Sequence, residues 1–133
     1  HKQNLRRADL PYNLTMIGLK MDRNKLYDKI NARVDHMIDL GLVDEVRSLQ
    51  DMGYTKDLIS MQGLGYKEII AYLEGDFTLE EAIDILKRDT RRFAKRQFTW
   101  FKKDKRIHWI NVENFDYKDD LCEYIIKIIS KHL

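Results

Sequence analysis

The sequence predicts an α/β fold that is mainly helical, with two short parallel strands that belong to a larger sheet. Apolar residues recur three or four positions apart along much of the 133-residue chain, which is typical of amphipathic helices. Only two short segments are rich in β-forming residues, and the helices between them form a crossover, so the strands are expected to pair in parallel. Because two parallel strands make a poor sheet by themselves, we interpret the chain as the end of a larger α/β protein.

Local signals define each element in turn. Residues 1–11 lack periodicity and end at the only proline, so we interpret them as a linker or truncated segment ahead of a folded part, residues 12–133. Alternation and β-forming residues predict the first strand, and Asp22 offers an N-cap for the helix after it. Glycine follows each of the first three predicted helices. Thr78 and Glu81 form a capping box that opens the fourth and longest helix. The predicted elements are strands at 12–21 and 106–112 and helices at 23–40, 43–52, 66–73, 79–103 and 117–132.

Composition and motif content exclude several classes of protein. The chain has no run of eighteen apolar residues and no apolar signal core, so we expect neither a membrane span nor a secretory signal. The single Cys122 excludes an internal disulfide and fits a reducing cytosol, so a cytoplasmic location is expected. His36 has no partner at a ligand spacing, and no metal site is predicted. The phosphate-binding motif GxxxxGK(S/T) and a catalytic triad are also lacking.

Positive charge is concentrated between residues 87 and 106. This segment holds ten cations and two acidic residues, so it carries about +8, whereas the whole chain has a formal charge of +2. It includes the stretch TRRFAKRQFTWFKK at 90–103. On a helical wheel the long helix has one stripe that we predict to be core, with Phe93 and Phe101 buried. The stripe consists of Ile83, Leu86, Thr90, Phe93, Ala94, Gln97 and Phe101. Trp100 lies at its edge and is predicted to be core rather than a base-stacking residue.

The opposite face of this helix is basic, and we expect no Glu or Asp to relieve the repulsion between its cations. It presents Arg88, Arg91, Arg92, Lys95, Arg96, Thr99, Lys102 and Lys103. Such a surface suits a run of phosphates, so a nucleic acid is the expected partner. Two alternatives remain open: a solvated helix face, and a helical protein-interaction domain whose basic face binds an acidic partner.

Two arginines of the first helix lie near its predicted buried face. That face consists of Leu26, Tyr27, Ile30, Val34 and Met37. Arg23 projects onto the face and Arg33 lies at its edge, where an unpaired guanidinium is costly. The two arginines are therefore members of structural ion pairs, or they extend an apolar stem along the core to a charged end in solvent, or they form part of a pocket for phosphate or diphosphate.

The loop SMQGLGYKE runs into a predicted helix. Gly63 and Gly65 immediately precede the helix start at Tyr66. Two glycines allow the backbone to approach a ligand, and the free N–H groups of a first helical turn favour an anion. A tight turn without a ligand is the alternative.

Four motifs together carry a family resemblance. They are MDRNKLYDKINARVDHMIDLGLVDEV, SMQGLGYKEIIAYLEGD, TRRFAKRQFTWFKKD and IHWIN. In order and spacing they resemble the C-terminal part of the bacterial tRNA dimethylallyltransferases (the tRNA isopentenyltransferase family). The resemblance implies a P-loop kinase-like α/β core, of which this chain lacks the P-loop half. It also implies transfer of a dimethylallyl group from dimethylallyl diphosphate to N6 of adenosine 37 in tRNA, with Mg²⁺ as cofactor, by a monomeric intact enzyme. Without the P-loop half, this part alone is expected to be inactive.

The resemblance implies roles for individual residues. Arg33 matches the arginine that handles the diphosphate of the prenyl donor, and Arg23, from its position, is a second candidate for that group. Residues 62–67 match the loop that contacts the anticodon arm of tRNA, and residues 95–102 match a basic helix on the tRNA. The implied RNA-binding residues are Gln62, Gly63, Leu64, Gly65, Tyr66, Lys67, Arg88, Arg91, Arg92, Lys95, Arg96, Gln97, Thr99 and Lys102. A non-catalytic, basic helical RNA-binding module is the alternative function.

Overall fold

A computed structural model of the chain describes residues 13–131, which confirm a mainly helical fold with one pair of short strands. The predicted linker, residues 1–11, lies outside the described residues. The elements are β1 (Met16–Lys20), α1 (Arg23–Asp39), α2 (Leu42–Asp51), a 3-10 turn (Ile59–Gln62), α3 (Tyr66–Leu73), α4 (Leu79–Phe101), β2 (Ile107–Asn111), a 3-10 turn (Val112–Asn114) and α5 (Lys118–Lys131). No helix within residues 13–131 is long and apolar enough to cross a membrane.

The chain divides into two compact units, and the first combines residues up to Asp22 with those from Trp100 onward. Its strands β1 and β2 are parallel, as predicted, in a register that runs from Met16 opposite Ile107 to Lys20 opposite Asn111. In this register Gly18 lies opposite Trp109. A Cβ atom on Gly18 would lie 2.5 Å from the Trp109 ring, so the strand pair requires a glycine there. In the same unit, Ile110 of β2 and Ile128 of α5 are buried.

Hydrogen bonds define the turns on either side of β2. Before the strand, the Arg106 guanidinium donates to both carboxylate oxygens of Asp104, at 3.0 and 2.7 Å. These hydrogen bonds lower the pKa of Asp104 to about 2. After the strand, the Glu113 N–H donates to Asn111 Oδ1 at 2.9 Å, and Glu113 Oε1 accepts from the Asp22 N–H at 2.7 Å.

The second unit, residues 23–99, contains the helical core. The buried residues of this core come from α1, α2, α3, the first 3-10 turn and the first half of α4. They are Val34, Leu42, Val46, Met61, Ile69, Ile70 and Leu86. On α1 the predicted face is correct: Val34 is buried, and Leu26, Tyr27, Ile30 and Met37 are partly buried.

Capping residues place the helix starts where the sequence indicates them. Gly41 adopts a φ of 102° between α1 and α2, a conformation that favours glycine. At the start of α4, Thr78 Oγ1 accepts from the Glu81 N–H and donates to the Glu81 carboxylate, both at 3.1 Å. The cap satisfies one of the N–H groups that have no partner within the helix.

The prediction that the aromatic residues late in α4 are core is wrong. Phe93 is 50% exposed, Trp100 is 70% exposed and Phe101 is 37% exposed. The buried residues of this helix are Ala82 and Leu86, both in its first half. Helical periodicity finds an apolar stripe, but burial also needs a neighbouring element to cover the stripe, and the core ends at Leu86 on this helix. The helix itself ends at Phe101, two residues before the predicted end.

Candidate nucleic-acid interface

Three cations of α4 remain available for an anionic partner. Arg92, Lys95 and Arg96 are exposed, and within residues 13–131 no acidic side chain forms an ion pair with them. Their spacing of three and four residues places neighbouring Cβ atoms about 5–6 Å apart on one face of the helix. Thr99 is exposed on the same face. We call Arg92, Lys95, Arg96 and Thr99 the basic face; its cations can contact consecutive phosphates of one strand.

Three other cations of α4 are already engaged, and one of them, Arg88, corrects the expectation that no Glu or Asp relieves the cations of the predicted face. Lys87 Nζ lies 2.7 Å from Asp35 Oδ1 of α1, and Arg88 donates to Asp89 Oδ1 from two nitrogens at 3.2 and 3.3 Å.

Arg91 is also committed to the fold. Its Nη1 donates to Asn31 Oδ1 of α1 at 2.8 Å, and the contact is partly buried. The expectation overlooked Asp89, the neighbour of Arg88 on the same helix, and it could not include Asn31, which comes from α1, far earlier along the chain. Lys102 and Lys103, placed on the face by the wheel, instead lie in the turn after α4.

The segment Gln62–Lys67, which we call the glycine turn, is ordered by hydrogen bonds to the helical core. Gly65 has a φ of 99°, whereas Gly63 is extended at a φ of −66°, so only Gly65 needs the freedom of glycine. Gln62 Nε2 donates to the Lys56 carbonyl oxygen at 3.3 Å.

The Tyr66 hydroxyl belongs to the same network. It donates to Glu45 Oε1 of α2 at 2.9 Å, and this hydrogen bond raises the pKa of Tyr66. Of the residues predicted to bind RNA in this turn, Leu64 and Lys67 have exposed side chains that make no hydrogen bond within the described part of the chain, although Lys67 Nζ lies 3.7 Å from Glu68 Oε1. Tyr66 and Gln62 instead hold the turn in place.

Glu68 lies one residue beyond the glycine turn and was missed by the sequence reasoning. It is only 4% exposed, and its Oε2 accepts from the Gly65 N–H at 2.8 Å. Burial, the largest effect, raises the pKa of Glu68, and a hydrogen bond with Asp89 of α4 raises it further. The available signal was its position, three residues after the N-cap glycine, where a Glu side chain reaches back to the N-cap N–H.

A groove of about 410 Å³ lies between α1 and α4, within the helical unit. Its lining is mostly apolar. It is formed by Leu26, Ile30, Arg33, Val34, Met37, Leu64, Leu86, Thr90, Phe93, Ala94 and Gln97. The Thr90 hydroxyl is occupied, because it donates to the Leu86 carbonyl at 2.7 Å. Arg33 and Gln97 therefore supply the polar groups that face the groove, and such a combination suits a ligand with an apolar body and an anionic end.

The structure brings together three of the predicted site residues from distant parts of the chain. Arg33 of α1, Leu64 of the glycine turn and Gln97 of α4 line this one groove. Arg23 does not line it. Both arginines are exposed rather than near-buried, so the interpretation that they need ion pairs inside the core is wrong. A helical wheel gives only the direction in which a side chain leaves the helix. Because arginine is long, its guanidinium can still reach solvent from the edge of a buried stripe.

Comparison with known proteins agrees with this fold and these motifs. A family profile described as IPP transferase matches residues 1–104. The chain belongs to the IPP transferase family. The family resemblance of the four sequence motifs is thereby confirmed.

Relatives within the IPP transferase family are similar over most of this chain. The tRNA dimethylallyltransferase of Alkaliphilus oremlandii is 56% identical over 91% of this chain and 39% of its own length. That of Natranaerobius thermophilus is 56% identical over 95% of this chain and 38% of its own.

Solved structures of the family show the same fold. The tRNA isopentenylpyrophosphate transferase of Bacillus halodurans has a TM-score of 0.84 and 46% identity, covering 98% of this chain and 43% of that one. The Staphylococcus epidermidis enzyme has a TM-score of 0.80 and 39% identity, covering 90% of this chain and 39% of that one. The chain thus spans about two fifths of the length of the relatives it matches.

Proposed function

We propose that this chain is the C-terminal, tRNA-binding part of an enzyme that transfers a dimethylallyl group from dimethylallyl diphosphate to N6 of adenosine 37 in tRNA. The observation that carries the proposal is a group of exposed cations, Arg92, Lys95 and Arg96, that have no acidic partner within residues 13–131. They lie on the helix that also lines the groove with Arg33. The reaction is supported by the relatives, which are tRNA dimethylallyltransferases. In the cell we place the intact enzyme in the cytoplasm, as a monomer.

In this proposal the tRNA is held chiefly through its phosphates. The basic face of α4 binds the backbone of the anticodon arm, and Lys102 in the following turn adds a further cation. The glycine turn contacts the same arm through Leu64 and Lys67, whose side chains are exposed. Adenosine 37 must leave its stack to react, which costs a few kcal/mol, and the phosphate contacts offset that cost.

The transfer is a displacement at C1 of the prenyl group. The lone pair of adenine N6 forms a bond to C1 while the bond from C1 to the diphosphate oxygen breaks, and the diphosphate leaves with the electron pair. In this proposal N6 then loses a proton to a base in the N-terminal half of the intact enzyme. Arg33 stabilises the negative charge that builds on the diphosphate, because a guanidinium can donate two parallel hydrogen bonds to it.

Mg²⁺ would assist the departure of diphosphate when bound to the intact enzyme. Within residues 13–131 no group of three His, Cys, Asp or Glu side chains is arranged to hold a metal ion. We therefore assign no step of the reaction in this chain to the ion.

The role of Arg33 can be tested in the full-length protein with Arg33→Ala and Arg33→Lys variants. We expect the alanine change to reduce single-turnover prenyl transfer at least about 100-fold, because charge stabilisation in the transition state is lost. Affinity for the anticodon arm should stay within about twofold, since Arg33 faces the groove rather than the basic face. The lysine variant should recover part of the rate. Transfer that survives Arg33→Ala nearly unchanged would remove Arg33 from the mechanism.

The same preparation distinguishes the alternatives. A non-catalytic RNA-binding module would bind the anticodon arm but transfer no dimethylallyl group in the full-length protein. A protein-interaction domain would not shift labelled tRNA even at low salt.

A further inference from the structure

The buried carboxyl group of Glu68 has no role in the binding or transfer steps described above. Its Oε2 accepts from the Gly65 N–H at 2.8 Å, whereas its Oε1 is buried without a hydrogen-bond donor in the described part of the chain. Lys67 Nζ is 3.7 Å from Oε1, too far for a good hydrogen bond. A buried oxygen left without a partner is costly, so another group must satisfy it.

Asp89 of α4 is the group that meets Glu68. The two side chains are within hydrogen-bonding reach, and Asp89 in turn accepts from Arg88. Two ionised carboxylates in such contact would repel each other, whereas one proton shared between them provides a hydrogen bond. The charged groups around the pair are Lys67 on the α3 side and Arg88 on the α4 side.

We propose that Glu68 is a positioning residue that carries the shared proton, donates it to Asp89, and thereby ties the glycine turn to the basic helix α4. This inference rests on the proposed function, because it concerns how two segments of the tRNA-binding part are held together. The link is short, because Glu68 contacts Gly65 on one side and Asp89 of α4 on the other. It holds Leu64 beside the groove that α4 lines.

The protonation states of the two residues agree with this geometry. Burial raises the pKa of Glu68, which favours the neutral form. Burial by itself would raise the pKa of Asp89, but hydrogen bonds from Glu68 and Arg88 outweigh it and lower that pKa. The ionised form of Asp89 is therefore favoured. The pair therefore holds one proton between the lowered pKa of Asp89 and the raised pKa of Glu68. Above the latter, both groups are charged and the tie is lost.

The shared proton predicts that both stability and RNA affinity fall as pH rises. Because the folded state raises the pKa of Glu68, its contribution is present at low pH and is lost as pH rises through the raised pKa. We expect affinity for the anticodon arm to fall over the same rise, since the turn is released and a second negative charge forms near Arg88.

The test uses Glu68→Gln and Glu68→Ala in the full-length protein. Glutamine keeps an acceptor for the Gly65 N–H and a donor for Asp89, but it does not titrate. We measure affinity for an anticodon-arm RNA, and thermal unfolding without RNA, from about pH 5 to pH 8. Asp84→Asn is the matched control, because Asp84 is an exposed acid of the same helix without an ion pair in the described part of the chain.

The expected result is that Glu68→Gln binds within about twofold of wild type at low pH and loses the decline that wild type and the Asp84→Asn control show as pH rises. Glu68→Ala should bind about tenfold more weakly than wild type at low pH, and the difference should shrink as pH rises, because wild type then also loses the tie. If the alanine variant does not fold, the glutamine variant alone decides.

The proposal would be overturned if Glu68→Gln weakened RNA binding as much as Glu68→Ala does. It would also be overturned if the affinity of Glu68→Gln fell with rising pH as that of wild type does. The unfolding profile separates the two claims. If wild type fails to bind the RNA but its unfolding temperature falls with pH and that of Glu68→Gln does not, the proposed function fails while the shared proton stands.

Discussion

The two halves of α4 use the same kind of sequence for different purposes. In the first half, residues 79–91, Thr78 caps the start, Ala82 and Leu86 are buried, and Lys87 pairs with Asp35 of α1. In the second half, residues 92–101, no residue is buried. Its aromatic residues are at least 37% exposed, and its three cations have no ion pair within residues 13–131.

The difference shows that a helical wheel cannot by itself separate a residue that stabilises the fold from one that binds a partner. Both halves place apolar residues on one side and cations on the other. Only contacts with α1 and α3 determine that Leu86 and Lys87 serve the fold. The second half presents the same residue types on an exposed surface.

The largest contrast between the halves should come from their large apolar residues. Leu86 is 2% exposed, so we expect Leu86→Ala to lower the free energy of unfolding by about 2–5 kcal/mol. Phe93→Ala should lower it by less than about 1 kcal/mol, since half of that side chain is exposed. Denaturant unfolding of both variants measures the contrast. Equal losses would show that the second half is part of the core.

The two threonines provide a smaller contrast. Thr78→Ala removes the N-cap hydrogen bond to the Glu81 N–H and should cost about 1 kcal/mol of stability. Thr99→Ala removes an exposed hydroxyl and should change stability by less than about 0.5 kcal/mol. Thermal unfolding of the two variants, compared at one pH, measures this difference. A costly Thr99→Ala would mean that the end of the helix is held by contacts that its exposure does not suggest.

The smallest expected difference between the two halves of α4 is that between Lys87 and Lys95. Lys87→Ala should lower stability by about 0.5 kcal/mol, because it breaks a partly exposed ion pair with Asp35, and should leave tRNA affinity unchanged. Lys95→Ala should leave stability unchanged and weaken tRNA binding about three- to fivefold. Lys29→Ala, on an exposed site of α1, controls for loss of one positive charge. The account is contradicted if Lys87→Ala impairs binding more than Lys95→Ala does.

Much of the fold could be predicted from the sequence because its signals are local. Glycine and Thr78 mark helix boundaries within a few residues, and the helical crossover between β1 and β2 implies a parallel pair. The burial of Phe93 and Phe101 could not be predicted, because it depends on what covers a helix rather than on its period.

The candidate site also has features that the sequence predicts and features that only the tertiary fold reveals. The cations and the glycine turn are visible in the sequence, but the partners of Lys87 and Arg91 come from α1, far away along the chain. The meeting of Arg33, Leu64 and Gln97 in one groove likewise requires the tertiary fold. Glu68 was overlooked because a buried acid looks like any exposed one until its neighbours are known.

The central claim is that the second half of α4 binds RNA phosphates, and the salt dependence of tRNA binding tests it most directly. The affinity of the full-length protein for the anticodon arm is measured across a range of salt concentrations, for wild type and for the combined Arg92→Gln, Lys95→Gln, Arg96→Gln variant. Loss of three phosphate contacts should reduce the slope of log affinity against log salt by about 2, with unfolding unchanged. An identical slope in the folded variant would show that these three cations do not contact the RNA.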